Sequence, residues 1–356
     1  MRIVFINTNK IWGGGEKWHW QMALNLSQNK EFNVSVIASE NSSLHSKIKE
    51  NSLPVTTIKI GNLSFLNPLK LLKLYRYFRN NKTNAVIFGL PKDLKLGGLA
   101  AKWAGVDKII YARALAAPVK NTFLNKFLFL SVTTHVVCNS KETLNQFIKF
   151  NKNLVPKKKQ HVIYYGLHDP YIKRLEKREN KKLVIGNAGR LTPQKAQYLF
   201  IPIAQELKKK GVDFEILIAG DGELAQEITD QIRQANLTSE IKLLGFVADV
   251  PRFMMQIDVF CLTSLWEGFG YVIAEAHLAE KPVVAFRVSS NPEVVEHEKD
   301  GFLVPAQNVY EMAEKISWLA NNPKIAKEMG AKGRQKVLET FSVENEVKNW
   351  EELLLK

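Results

Sequence analysis

Two cysteines in 356 residues, Cys138 and Cys261, exclude a disulfide-built scaffold. Both lie in apolar, strand-like runs, as core thiols of a reducing compartment would. No run reaches the roughly 18–20 apolar residues of a membrane-spanning helix. The apolar start, residues 3–6, is too short for a secretory signal, so a cytoplasmic protein is expected. There is no D-x-D pair and no His/Cys cluster at metal-ligand spacing, so neither metal nor cofactor is expected. G-x-G-x-x-G is missing, and no acidic residue closes the second strand, which argues against a dinucleotide-dependent oxidoreductase. No Ser/His/Asp constellation is legible. Lone histidines such as His19, His135 and His277 read as packing or surface residues. No internal repeat stands out.

Positive charge is in excess. The net charge is +15, unevenly spread. Residues 1–180 carry 29 Lys and Arg against 10 Asp and Glu, a net of +19, while residues 181–356 carry 21 against 25, a net of −4. A basic half points to an anionic partner: membrane surface, nucleic acid or acidic glycan. Residues 69–82 (LKLLKLYRYFRNNK) and 123–130 (FLNKFLFL) mix apolar and cationic side chains. They read either as amphipathic helices resting on an anionic leaflet or as ordinary helices with one buried face. The expectation is peripheral association with the inner face of the cell membrane. No motif or aromatic–basic interleaving supports nucleic acid, which is set aside.

Short β-branched runs alternate with helical patterns. Strands are expected at 3–7, 34–38, 55–60, 85–88, 108–111, 135–138 and 161–164. Helices lie between, for example at 69–80 and 140–149. After the charged stretch 173–182, strands resume at 183–188, 214–219, 241–244, 259–262 and 283–286. Helices there include 196–210, 224–235 and 310–319. This alternation implies α/β architecture, with parallel sheets covered on both faces. The stretch 173–182 has no apolar periodicity and reads as a linker. The expected division is 1–172, 173–340, and a last helix over 343–355 within 341–356 that is long enough to pack back on the first domain. Ligands of such sheets bind at the carboxyl ends of the strands, so a cleft between two domains is the natural site.

Residues 266–276, WEGFGYVIAEA, carry the densest signal. Glu267 and Glu275 are separated by seven residues, with Gly268, Phe269 and Gly270 turning into the helix that carries Glu275. Glu275 can accept hydrogen bonds from ribose hydroxyls and Glu267 from a sugar; two surface glutamates is the plainer reading. Eight helical positions would span about 12 Å, the reach from ribose across a diphosphate to a hexose. Ahead of a helix, Gly13-Gly14-Gly15-Glu16 offers close backbone approach and an anion-favouring helix start. Gly14 and Gly15 are donor-approach candidates. Glu16 is a helix cap or an acceptor-side group. Strand 183–188 leads to Arg190 and Lys195, two cations able to neutralise a diphosphate, or a solvated basic turn. Gly220 sits in the turn after 214–219. Phe246 and Val247 follow 241–244, where backbone groups can read a nucleobase edge.

Taken together these residues resemble the retaining GT-B glycosyltransferases, specifically the nucleotide-sugar-dependent family four. The likeness covers essentially the whole chain and is strongest over 189–295. It rests on the E-x7-E pattern Glu267…Glu275, the basic pair Arg190 and Lys195, the glycine-rich loop at 13–16, Asn139-Ser140, and the segments Pro282–Ala285 and Asn291–Val295. It implies two Rossmann-like domains and transfer of a hexose-type sugar, with retention, from a nucleoside diphosphate sugar (UDP favoured). The acceptor would be a glycan or glycolipid such as lipopolysaccharide core. Arg190, Lys195 and Glu267 would be catalytic, with no metal. The chain departs from the pattern at four places. Ala196 stands where Gly is usual, and Tyr165-Gly166 where Asn-Gly is common. Ser289-Ser290 replaces Gly-Gly. Arg113 replaces a catalytic-site His, and either contacts an anionic acceptor or donor phosphate or closes a strand end. A non-catalytic nucleotide- or glycan-binding protein is the alternative.

Overall fold

The computed structural model describes residues 1–171 and 182–356. Apart from Lys182, the charged stretch 173–182 read as a linker lies outside the described residues. The chain divides into two compact units: Met1–Tyr164 with Glu346–Lys356, and Tyr165–Asn345. The division precedes the charged stretch because residues after Tyr164 pair within the second unit. Leu167 forms a bridge with Ser342, and its N–H donates to the Phe341 carbonyl at 2.8 Å.

The first unit contains strands β1 (Arg2–Asn7), β2 (Asn33–Ala38), β3 (Val55–Thr57), β4 (Ala85–Phe88), β5 (Lys108–Arg113), β6 (His135–Cys138) and β7 (Gln160–Val162). They form a parallel sheet in the order β3-β2-β1-β4-β5-β6-β7. The central strands are apolar throughout because helices cover both faces; Ile3 to Ile6 and Ala85 to Phe88 are all fully buried. Strand order reverses between β1 and β4, which places the switch point there. The last helix, Val343–Leu355, enters this unit with its residues from Glu346 onward. Trp350 stacks 5.5 Å from Trp18, and the Trp18 indole N–H donates to Glu346 Oε1 at 2.6 Å.

The second unit contains β8 (Leu183–Ala188), β9 (Phe214–Ala219), β10 (Ile241–Gly245), β11 (Val259–Leu262), β12 (Val283–Phe286) and β13 (Gly301–Val304). Its parallel order is β10-β9-β8-β11-β12-β13. The switch point lies between β8 and β11, strands 74 residues apart in sequence at the contact of Val184 with Asp258. Strand β13 and the helix Pro323–Thr340 were not among the expected elements. Both cysteines are free and buried, and burial pushes the Cys138 thiol up to about 12. Among the described residues, no helix is long and apolar enough to cross a membrane.

Candidate functional site

In the second unit, the carboxyl ends of β8, β9 and β10 are stitched by main chain. Gly189 N–H donates to Ala219 O at 2.9 Å, and Gly220 N–H to Gly245 O at 2.7 Å. Gly220 has φ +147°, and a Cβ there would lie 1.9 Å from the Gly189 carbonyl oxygen. Glycine at 220 is therefore required by backbone on backbone, whatever ligand reaches it.

The loops after β8 and β11 meet at the switch point. Lys195 Nζ donates to Glu267 Oε1 at 2.6 Å, with both side chains largely buried. Three more bonds fix the contact. Thr263 Oγ1 donates to Lys195 O at 2.9 Å, Leu265 N–H to Gln194 O at 2.8 Å, and Gln194 Nε2 to Trp266 O at 2.8 Å. The Lys195 stem lies over Gly189, within 3.6 Å of where a Cβ would stand. Arg190 differs: its side chain is exposed and enters none of the ion pairs among the described residues. The two expected diphosphate cations are thus one ion-paired and one exposed group.

Gly268 is half-buried and Phe269 buried, its ring 6.1 Å from Tyr165 and 5.3 Å from Phe341. Gly270 takes φ +87° and opens the helix Tyr271–Leu278. Only the last part of the E-x7-E span is helical, so a straight 12 Å helical separation does not describe it. Glu275 is the fifth residue of that helix and half-buried. Burial first, then its negative charge, raises the pKa of the Tyr171 hydroxyl. Phe246 is 81% exposed beyond β10, and Val247 is half-buried beside it.

Two departures from the family pattern sit at special backbone positions. Ala196 has φ +50° and Ser289 φ +46°, the left-handed region that favours glycine. The turns keep a glycine-like path without glycine.

Sequence reasoning gave no role to five uncharged groups here. Asn187 Oδ1, Thr192 Oγ1, Gln197 Oε1, Ser264 Oγ and Asn291 Oδ1 are buried with no hydrogen-bond partner among the described residues. Orphaned buried oxygens are costly unless something completes them. For Asn187 and Ser264 the only signal in the sequence is a polar residue within or just after an apolar run, as Asn187 is in LVIGNA, while Asn291 opens the segment 291–295.

In the first unit, the helix Gly14–Ser27 starts at the end of β1 with no side-chain cap from Gly13. A Cβ at Gly14 or Gly15 would meet nothing within 4 Å. No packing contact explains these two glycines. Glu16 is buried, accepting from Asn7 Nδ2 at 3.3 Å and Asn9 Nδ2 at 3.0 Å. It pins the loop after β1 rather than facing solvent. A second clamp was not anticipated: Asp93, after β4, accepts from Thr8 N–H at 2.8 Å and Thr8 Oγ1 at 2.5 Å. Burial raises Asp93 to about 6 and lowers neighbouring His19 to about 4. Arg113 ends β5 almost fully buried. It donates through Nε to Leu115 O at 2.9 Å and through a terminal nitrogen to Ala117 O at 3.0 Å. It reaches the Tyr111 hydroxyl at 3.3 Å. Its donors thus hold the chain that follows the strand; no carboxylate pairs with it among the described residues.

Comparison with known proteins bears on the family of the second unit and on the fold. The family model described as "Glycosyl transferases group 1" matches residues 169–336. A UDP-Gal:alpha-D-GlcNAc-diphosphoundecaprenol alpha-1,3-galactosyltransferase of Escherichia coli is 25% identical over 354 residues, 93% of this chain and 90% of its own. A poly(ribitol-phosphate) alpha-N-acetylglucosaminyltransferase of Staphylococcus aureus (strain COL) is 31% identical over 168 residues, 47% of this chain. The match spans about a third of that longer protein, 34%. Among solved structures, Anabaena HepE in complex with UDP and glucose aligns over 100% of both chains, with a TM-score of 0.82 at 22% identity, a likeness of fold. Residues 169–336 match the glycosyl transferases group 1 family, and the chain as a whole has the GT-B fold.

Proposed function

We propose that the protein transfers a hexose-type sugar from a nucleoside diphosphate sugar, UDP favoured, to a cell-surface glycan or lipid-linked acceptor such as lipopolysaccharide core. The observation that carries this reading is the meeting of Lys195 and Glu267 at the β8/β11 switch point, with orphaned buried oxygens on β8 and on the segments that follow β8, β11 and β12. A fixed ammonium beside a carboxylate suits the junction of a diphosphate with a hydroxyl-rich ring. Lys195 neutralises the departing β-phosphate, and exposed Arg190 closes over it. Glu267 accepts from sugar hydroxyls and Glu275 from the ribose. In a retaining transfer the acceptor oxygen attacks on the leaving-group face. Its proton passes to a phosphate oxygen as the bond from anomeric carbon to phosphate oxygen breaks, so no second-face carboxylate is needed. The names of the Escherichia coli relative and of the HepE complex support a UDP-linked donor.

Lys195→Ala should lower turnover by roughly 10²–10³-fold, the scale for losing one preorganised stabiliser of developing charge. Fully active Lys195→Ala would overturn the assignment. A thermal-shift screen of UDP, GDP, ADP and CMP sugars identifies the base, and chelator should leave the activity intact.

We also place the first unit on an anionic membrane surface. Phe123, Phe150 and Trp103 project large apolar surface from this unit. Asn151 donates to Asn121 at 3.0 Å, which brings the Phe150 and Phe123 segments together. Lys149, Lys152 and Lys157 line a cavity of about 900 Å³ in the same loop. Aromatic side chains among lysines suit an anionic interface. The protein should pellet with membranes at low salt and leave them in a high-salt wash. Recovery only in the soluble fraction at low salt would sink this placement.

A further inference from the structure

Lys195 has two claimants. Its ammonium is fixed at 2.6 Å from Glu267 Oε1, and the loops that carry them are joined by the three further bonds from Thr263, Leu265 and Gln194. The Glu267 carbonyl in turn accepts from Ser290 Oγ at 3.3 Å. Neither group can swing far from the other. An ammonium has three donors, so a phosphate oxygen can still reach Lys195, but it arrives beside a carboxylate.

The two diphosphates of a transfer cycle differ at this point. In a nucleoside diphosphate sugar the β-phosphate is a diester and carries a single charge, and the sugar brings hydroxyl donors. In the free nucleoside diphosphate the β-phosphate is terminal, joined only through the anhydride oxygen, and its second ionisation falls near pH 6, so at pH 8 it carries almost a full extra charge. It offers no hydroxyl in the sugar's place. A carboxylate next to the phosphate-binding ammonium accepts from the hydroxyls of the first, which offsets its repulsion of a single charge, and repels the extra charge of the second without that offset.

We propose that Glu267 is a specificity-determining residue that discriminates the intact donor from its own diphosphate product, by sharing Lys195 with the β-phosphate. This rests on the donor-site reading above. It gives the Lys195–Glu267 pair a role in expelling product as well as in holding sugar.

The test is calorimetric titration with UDP and with UDP-glucose, on the wild type and on Glu267→Gln, whose amide keeps the shape and removes the charge. Glu267→Gln should bind UDP about tenfold tighter and UDP-glucose no tighter, because the free diphosphate loses the larger like-charge repulsion while UDP-glucose also loses the carboxylate that accepts from its sugar hydroxyls. The gain for UDP should shrink between about pH 8 and pH 5.5 as the terminal phosphate takes up a proton, a response that altered packing would not produce. The wild type alone supplies a second measurement: its preference for UDP-glucose over UDP should narrow over the same pH range. Both ligands binding the wild type, with an unchanged affinity ratio in Glu267→Gln, overturns the discrimination and leaves the donor site standing. UDP bound more weakly by Glu267→Gln also overturns it. Failure of both ligands to bind the wild type removes the UDP-donor reading and this inference with it.

Discussion

Gly220 fixes the edge at which the second unit's turns meet. Its φ of +147° and the 1.9 Å approach of the Gly189 carbonyl leave no room for a methyl group. Gly220→Ala should destabilise the second unit by about 2–4 kcal/mol, combining left-handed strain with a backbone clash. Equilibrium denaturation should show a lower midpoint, and a midpoint equal to wild type would refute the account. At this scale the sequence was legible where residue type and chemistry coincide, as with Lys195, Glu267 and Gly270. It was silent on Asn187 and Ser264, because an uncharged polar residue beside an apolar run has no distinguishing chemistry until its neighbours are known, and it named Asn291 only as the start of the segment 291–295. Nor could it show that Lys195 and Glu267 touch. They are 72 residues apart and meet only because β8 lies next to β11. Arg113 was left open between a ligand contact and a strand-end role, and its hydrogen bonds run to the Leu115 and Ala117 carbonyls.

At the scale of elements, central strands were legible because burial on both faces makes them continuously apolar. The exceptions involve glycine. Strand β13 begins at Gly301, where a Cβ would lie 2.3 Å from the Val283 carbonyl oxygen, so the edge pairing itself demands a residue that reads as a breaker. The helix Pro323–Thr340 contains Gly330 and Gly333, and Cβ atoms there would strike the Glu280 carbonyl at 1.9 Å and the His277 ring at 2.2 Å. Those glycines mark close approach to the helix Tyr271–Leu278 and its end, not an interruption. The final helix has a different anchor. Trp350 is fully buried against Trp18, Asn29 donates to Glu351 at 2.7 Å, and Lys108 donates to the Leu353 carbonyl at 2.8 Å. Trp350→Ala should cost about 3–5 kcal/mol, the range for a large aromatic removed from a core. The measurement is the unfolding free energy, and a loss under about 1 kcal/mol would show the helix to be dispensable.

For the whole molecule, buried histidines set the response to acid. Burial lowers His19 and His135 to about 4 and His277 to about 3, against 6.5 when unfolded. A depressed folded pKa means stability that is complete above pH 6.5 and is lost as pH falls toward 4 and below. Asp93 opposes this: raised to about 6 from 3.8, it favours the folded state increasingly as pH falls from 6 to 3.8. Asp300, also raised by burial, acts in the same sense. His135 is only half-buried, and solvent discounts its share. The histidines outweigh the carboxylates, so unfolding free energy should fall by about 2–3 kcal/mol between pH 6.5 and 4. Denaturant titrations at both pH values check this, and His277→Asn should flatten the slope.

The first unit is not contiguous in the sequence. Its last eleven residues, Glu346–Lys356, follow the whole of Tyr165–Asn345. A ribosome therefore releases the complete second unit before it releases the segment that covers Trp18. Until that moment the nascent chain carries an uncovered aromatic face, open to chaperones. A stop codon near residue 345 would leave Lys195, Glu267 and Glu275 intact while depriving the other unit of Trp350, the side chain stacked on Trp18.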